Sequence, residues 1–282
     1  MPELPEVETI VNQLDEVLRG NIVDKVEVLR EKSFSGKSKD LAGKKIKKVE
    51  RRSKMIVVIF EDWDKVLLIH LKMTGQLVFL DGKKRVVGGH PTADWVNKLP
   101  SKHTRVIMRF INYSRLFFND MRVFGWMKLV EKKRFDIMSD KLPPDVIDKE
   151  FSLNYFREVL KSSRRAIKLL ILDQKKMGGV GNIYACDGLF LAGIDPSRAA
   201  DSLSKDEERV LWKAIIKVMK KGIRLGGATY SDYKDSKGQG GRYQEHFLVY
   251  GREGEKCKKC GKKIEKFKLG GRGTYWCLGC QK

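Results

Sequence analysis

The apolar residues of this chain change period twice, and that change constrains its fold more than any other feature. In ELPEVETIVNQLDEVLRG, the residues Leu4, Val7, Ile10, Val11, Leu14, Val17 and Leu18 recur at helical steps, and the stripe ends at Gly20. From about residue 21 to 135 the runs become β-rich, as in MIVVIF and KVLLIHL, with Gly, Asp and Asn turns between them. Several neighbouring strands in series predict an antiparallel sandwich or barrel. The stretch DIMSDKLPPD, with its Pro pair, reads as a linker. Beyond it SLNYFREVLKSS, RAIKLLILDQ, VGNIYACDGLFLAG and SKDEERVLWKAIIKVMKKGIRLGG return to helical spacing, with Ser or Asp where N-caps belong. At 282 residues there is room for two domains, each with its own core.

No run of about 18 apolar residues occurs, and the N-terminus is acidic rather than a basic leader, so a cytosolic protein is expected. The chain carries 58 Lys and Arg against 36 Asp and Glu, a formal charge of +22. That excess favours a polyanion such as nucleic acid, because each neutralised phosphate releases condensed counterions. Charges that merely keep a lysine-rich surface solvated would give the same count.

Four of the five cysteines fall in the last 26 residues, as C-x2-C pairs 16 residues apart. Cys257, Cys260, Cys277 and Cys280 suit tetrahedral coordination of one zinc ion from two tight turns. All four positions are filled, so the metal is expected to be structural and to staple a hairpin that lacks an apolar core. Between the pairs Lys262, Lys263, Lys266, Lys268 and Arg272 accompany Tyr275 and Trp276, a basic finger suited to phosphates. A solvated charge run would look similar. Gly178, Gly179 and Gly181 precede the helical stretch near Asn182, where a phosphate would suit backbone N–H groups. An ordinary turn explains them equally.

Pro2 becomes the N-terminal residue once Met1 is removed, as is common when a small residue follows. Its secondary amine would be roughly a tenth neutral at pH 7, against well under a thousandth for a lysine. Such an amine can attack a sugar C1′ and form an iminium, an electron sink for elimination of phosphate. Glu3 and Glu6 are placed to move protons. Pro and Glu in a first turn are also what any helix start prefers.

PELPEVET, HLKMTG at 70 to 75, DMRVFG at 120 to 125, GVGNIYACDGLFLAGIDP, GGATYSDY, VYGREGEKC and the four-cysteine finger together resemble the bacterial formamidopyrimidine-DNA glycosylase family, in one order from residue 2 to 282. The resemblance implies an α+β chain: an N-terminal helix with an antiparallel β-sandwich over 1–135, a linker at 136–150, a helix-two-turns-helix domain over 151–250 with a lesion-capping loop at 226–241, and a zinc finger over 251–282. It implies a monomeric, nucleoid-associated base-excision enzyme on double-stranded DNA with oxidised purines or abasic sites, acting without a membrane. The activity implied is glycosylase and then lyase, the latter by β,δ-elimination.

By the same resemblance Pro2 is the nucleophile, Glu3 the general acid, Glu6 part of that motif, and Lys54 a catalytic-site lysine. Met73, Arg122 and Phe124 fill the void left by an extruded nucleotide, Arg122 facing the orphaned cytosine. Asn182 and Arg272 contact phosphates, and Lys102 with His103 resembles a further phosphate-binding pair. The chain departs from the family at Ser53 and Lys72, where glycine is usual, at Val123 for a basic residue, at Asp187 for glutamate and at Gln239 for a frequent lysine. Two other functions share the scaffold. A lesion-marking DNA-binding protein would be expected to have lost PE or Lys54, and an endonuclease VIII-like enzyme for oxidised pyrimidines would start nearer PEGPEI with a shorter loop.

Overall fold

The N-terminal stripe forms helix α1 (Leu4–Leu18), which buries Leu4, Val7, Ile10, Val11, Leu14 and Leu18. Each such aliphatic side chain taken out of water contributes roughly 1.5–3 kcal/mol before entropy is counted. This is a computed structural model, and it describes residues 2–82, 84–90, 99–228 and 241–282. The capping loop expected at 226–241, with Gln239, therefore lies largely outside the described residues, as does Met1. Two compact units are present, residues 1–141 with 226–241, and residues 142–225 with 242–282.

Among the described residues of the first unit ten strands make two five-stranded sheets. They are β1 (Val23–Val28), β2 (Phe34–Ser35), β3 (Ile46–Arg52), β4 (Met55–Phe60), β5 (Lys65–His70), β6 (Gly75–Asp81), β7 (Lys84–Gly89), β8 (Thr104–Phe110), β9 (Arg115–Asp120) and β10 (Trp126–Glu131). One sheet runs β1-β8-β9-β6-β7 and the other β2-β10-β5-β4-β3. Every pairing is antiparallel except the two-residue contact of β2 with β10, which is parallel.

The inward faces, among them Ile56, Val58, Leu67, Ile69, Leu77, Phe79, Val106, Met108 and Phe118, form one apolar core with the stripe of α1. Helix α1 packs along β3 and β7, the edge strand of each sheet, so it closes the open side of the sandwich. Bare strand edges otherwise present unpaired amides. Asp15 accepts the N–H of Val49 on β3 at 2.7 Å. On β7 a Cβ at Gly88 would stand 2.5 Å from Ile10, so only glycine lets the helix this close.

Residues 132–140, expected as the end of the sandwich and the start of a linker, form helix α2 (Lys132–Asp140). Phe135 packs on Val57, Val66 and Leu68, which explains why the chain stays ordered there.

The second unit holds α3 (Leu153–Lys161), α4 (Ile167–Ile171), α5 (Asn182–Ala192), α6 (Lys205–Arg224) and the hairpin β11 (Glu265–Leu269) with β12 (Arg272–Trp276). Ser152 caps α3 through the N–H of Tyr155, and Ser204 with Glu207 forms a full capping box on α6. Helix α5 lacks a polar face because most of it is buried, with Tyr184, Ala185, Cys186, Leu189 and even Asp187 at 0–1 % exposure.

Candidate functional site

In the first unit the chain start is organised by carboxylates. Glu3 is the N-cap of α1 and 4 % exposed, and its N–H donates to Glu6 Oε2 at 2.8 Å. Glu6 Oε1 accepts the N–H of Ala228 at 2.7 Å, so one side chain fixes both the chain start and the first described residues of the 226–241 segment. Pro2 stands half-buried directly before this cap.

Lys54 sits at the turn between β3 and β4 and is only 6 % exposed. The turn is braced from behind, because Arg51 pairs with Glu8 of α1 and donates to the Ser53 carbonyl at 2.9 Å. Ser53, standing where the family favours glycine, has φ +53. Lys72 likewise has φ +52. Glycine is common at such positions because side chains are strained in the left-handed region.

His70, which the sequence did not single out, belongs to this neighbourhood. Burial, and then the charges of Lys72 and Lys54, push its pKa down to about 4, so its ring is neutral at physiological pH. Its Nδ1 accepts the N–H of Lys72 at 3.0 Å, and its ring meets Trp126 at 5.6 Å. Only the sequence spacing in HLKMTG, with His70 three residues before Met73, hinted at it.

Two loops of the sandwich present the void-filling candidates. Met73 is 42 % and Phe124 49 % exposed, although both are apolar. The Arg122 guanidinium lies 4.7 Å above the Phe124 ring. Neither apolar side chain packs a strand interior. His103 is half-buried in the turn before β8, its carbonyl accepting the Asp120 N–H at 2.9 Å.

In the second unit Asn182 opens α5 and donates from Nδ2 to the Gly273 carbonyl at 2.9 Å, next to exposed Arg272. The structure thus brings these two together. Lys168, fully buried, donates to the same carbonyl at 3.2 Å and to Thr274 Oγ1 at 2.7 Å, so a second side chain ties the hairpin to the helices. Nothing in the periodicity of RAIKLLILDQ marked that lysine as buried.

Asp187 is fully buried and accepts from Tyr243 (3.1 Å) and from the N–H groups of Leu248 (3.2 Å), Val249 (3.0 Å) and Tyr250 (3.1 Å). Burial raises its pKa and those four donors oppose the rise. The shorter side chain therefore loses no reach within this unit. Cys186 beside it is raised to about 11 by burial, which keeps it an inert thiol.

The Sγ atoms of Cys257, Cys260, Cys277 and Cys280 all lie within 4.8 Å of one another. Cys257 and Cys280 are 3.8 Å apart and Cys260 and Cys277 3.4 Å. Tetrahedral zinc with bonds of about 2.3 Å requires sulfur separations of about 3.8 Å, so the donor set fits one structural Zn2+.

A sandwich whose first helix is capped by Glu3 just after Pro2, followed by helices and a four-thiolate hairpin, is an α+β architecture with three recognisable parts. Each part matches a family description: the formamidopyrimidine-DNA glycosylase N-terminal domain over residues 1–127, the formamidopyrimidine-DNA glycosylase H2TH domain over 142–234, and a zinc finger found in FPG and IleRS over 254–282. Curated formamidopyrimidine-DNA glycosylases of Desulforamulus reducens and Bacillus licheniformis are 40 % and 37 % identical, each alignment covering all of this chain and 99 % and 100 % of the relative. A solved complex of the Lactococcus lactis Fpg with abasic-site DNA superposes with TM-score 0.88 at 31 % identity, each chain fully covered. The Thermus thermophilus MutM (FPG) protein gives 0.84 at 34 %, covering 99 % of this chain and 98 % of that one. The chain belongs to the formamidopyrimidine-DNA glycosylase family.

Proposed function

We propose that this chain is a base-excision-repair enzyme that removes oxidised purines, 8-oxoguanine and formamidopyrimidines, from duplex DNA and then cleaves the abasic site. The observation that carries the reading is the N-terminal cap, where a proline precedes a buried glutamate whose backbone is held by a second carboxylate. Relatives bound to DNA with an abasic site or a Fapy-dG lesion support the substrate class.

With Met1 removed, the Pro2 nitrogen attacks C1′ as the bond to the base breaks. Glu3 protonates the sugar ring oxygen, and the nitrogen lone pair then forms an iminium. Loss of a C2′ proton expels the 3′-phosphate, and a second elimination expels the 5′-phosphate. Buried Lys54 supplies a positive charge that favours the neutral amine. Met73, Arg122 and Phe124 occupy the gap, while Asn182 and Arg272 hold phosphates. One structural Zn2+ at Cys257, Cys260, Cys277 and Cys280 folds the hairpin that carries Arg272.

The enzyme acts as a monomer in the cytoplasm at the nucleoid. Among the described residues no helix is long and apolar enough to cross a membrane.

Borohydride trapping on a duplex with 8-oxoguanine opposite cytosine tests the chemistry. The processed protein cross-links, and Pro2→Gly cross-links far less. Absence of any adduct with the processed protein overturns the lyase reading.

A further inference from the structure

Thr74 and Asp120 have no part in the chemistry above, yet they join the two loops that carry Met73 and Arg122 with Phe124. Asp120 is fully buried and Thr74 is 6 % exposed. One Asp120 carboxylate oxygen accepts the Thr74 hydroxyl and the Arg122 N–H at 3.2 Å. The other accepts the Gly125 N–H at 2.6 Å. Thr74 Oγ1 also accepts the Arg122 N–H, at 3.1 Å, so that amide is shared by both side chains.

Between the two amides bound to Asp120 lies Val123 with φ +54. A β-branched residue in the left-handed region costs on the order of 1–2 kcal/mol, and such a conformation persists only where its surroundings over-determine it. Here the surroundings are the carboxylate on one side and Gly125 on the other. A Cβ at Gly125 would stand 2.8 Å from Phe118 Cζ and 3.1 Å from Asp120 Oδ2, so the loop is closed onto the carboxylate without slack.

We infer that Thr74 and Asp120 are positioning residues that lock the Met73 loop and the Arg122–Phe124 loop into one element, so that the three exposed side chains enter the base stack together. The inference rests on the void-filling role proposed for those three. Thr74 and Asp120 touch neither the sugar nor the extruded base; they act on extrusion through the side chains they hold.

The test is a double-mutant cycle in the full-length zinc-loaded protein. Its readouts are single-turnover excision of 8-oxoguanine opposite cytosine and the fluorescence of a 2-aminopurine beside the lesion, which reports unstacking without any bond cleavage. Thr74→Val keeps the shape and removes the hydroxyl. It is expected to slow excision roughly tenfold and to lower the fluorescence signal, the loss expected of one buried bond to a charged acceptor. Thr74→Ser is expected to stay within about twofold of the parent, because it retains that bond. In a Met73→Ala, Arg122→Ala and Phe124→Ala background the effect of Thr74→Val should shrink to under about twofold, because nothing remains to be positioned.

An equal loss in both backgrounds, or equal behaviour of Val and Ser, overturns the inference. If Thr74→Val does not fold, Asp120→Asn carries the same cycle with the same criteria. A parent protein that unstacks the lesion but never cleaves would refute the enzymatic reading while leaving this one standing. Normal cleavage with an additive cycle would do the reverse.

Discussion

Among the described residues of the first unit five with side chains hold positive φ: Ser53, Asp62, Lys72, Tyr113 and Val123. Among the described residues of the second unit every positive-φ position is glycine. Three of the five adjoin candidate site residues, Ser53 before Lys54, Lys72 before Met73, and Val123 between Arg122 and Phe124. The units also differ in what holds them. The sandwich has a continuous apolar core closed by α1. The hairpin contributes to its own cluster only Cys257, Ile264 and Cys277 as buried members. A large core can support strained, exactingly placed loops, whereas a module without one relies on metal and on backbone that needs no support.

Removing the metal breaks this comparison most sharply. Zinc in modules of this kind supplies on the order of 10–16 kcal/mol of folding free energy. Cys257→Ala or a strong chelator should therefore unfold the hairpin, losing the signals of Thr274 and Trp276 in an NMR spectrum, while the thermal transition of the sandwich stays in place. DNA binding should collapse with the hairpin, since Arg272 goes with it. Binding that persists undiminished without zinc would show that the finger is not needed for it.

The legibility of the chain in its sequence follows the same division. The α1 stripe was readable because helical period and burial coincide: six of its seven apolar members are buried, and Val17 is only partly so. The zinc site was readable because two close pairs at a fixed spacing admit few other chemistries. The helix at 132–140 was not, because a single aromatic, Phe135, packs inward while its other apolar residues, Ile137 and Met138, stay exposed and leave no helical stripe. Lys168, Asp187 and Asp120 were invisible as organisers because their partners are mostly backbone groups, which carry no signature in the sequence. The positive φ at Ser53 and Lys72 was foreshadowed by the family's glycines, though nothing local in RRSK or HLKMTG demands it.

A smaller effect, confined to the first unit, comes from His70. Its pKa in the fold, about 4, lies below the 6.5 of an unfolded chain. Below pH 6.5 the unfolded chain takes up a proton that the folded one refuses, so stability is level above that pH and falls as pH drops toward 4. Between pH 6.5 and 5 the loss is roughly 1.5 kcal/mol. Urea titrations of the parent and His70→Asn should diverge by about that amount across this window. Parallel curves would mean that His70 charges freely in the fold, against its burial beside Lys54 and Lys72.

The smallest expected effect sharpens the comparison because glycine should be the more stable residue at left-handed positions in both units, although the described part of the second unit alone uses only glycine there. In the first unit Ser53→Gly and Lys72→Gly relieve a left-handed strain of about 1–2 kcal/mol and give back about 0.5–1 kcal/mol in unfolded-chain entropy, a net gain of roughly 0.5 kcal/mol each. In the second, Gly193 ends α5 with φ +75 and its N–H on the Leu189 and Phe190 carbonyls. Gly193→Ala should lose about 1 kcal/mol, since a side chain there meets both the strain and the Cys280 carbonyl. Urea midpoints at pH 7 measure all three. Lys72→Gly also removes a charge facing His70, so its pH slope should flatten, while that of Ser53→Gly should not. A loss of stability in both glycine variants would mean that the left-handed loops of the sandwich are not strained, and that their side chains are retained for contacts that outweigh the backbone term.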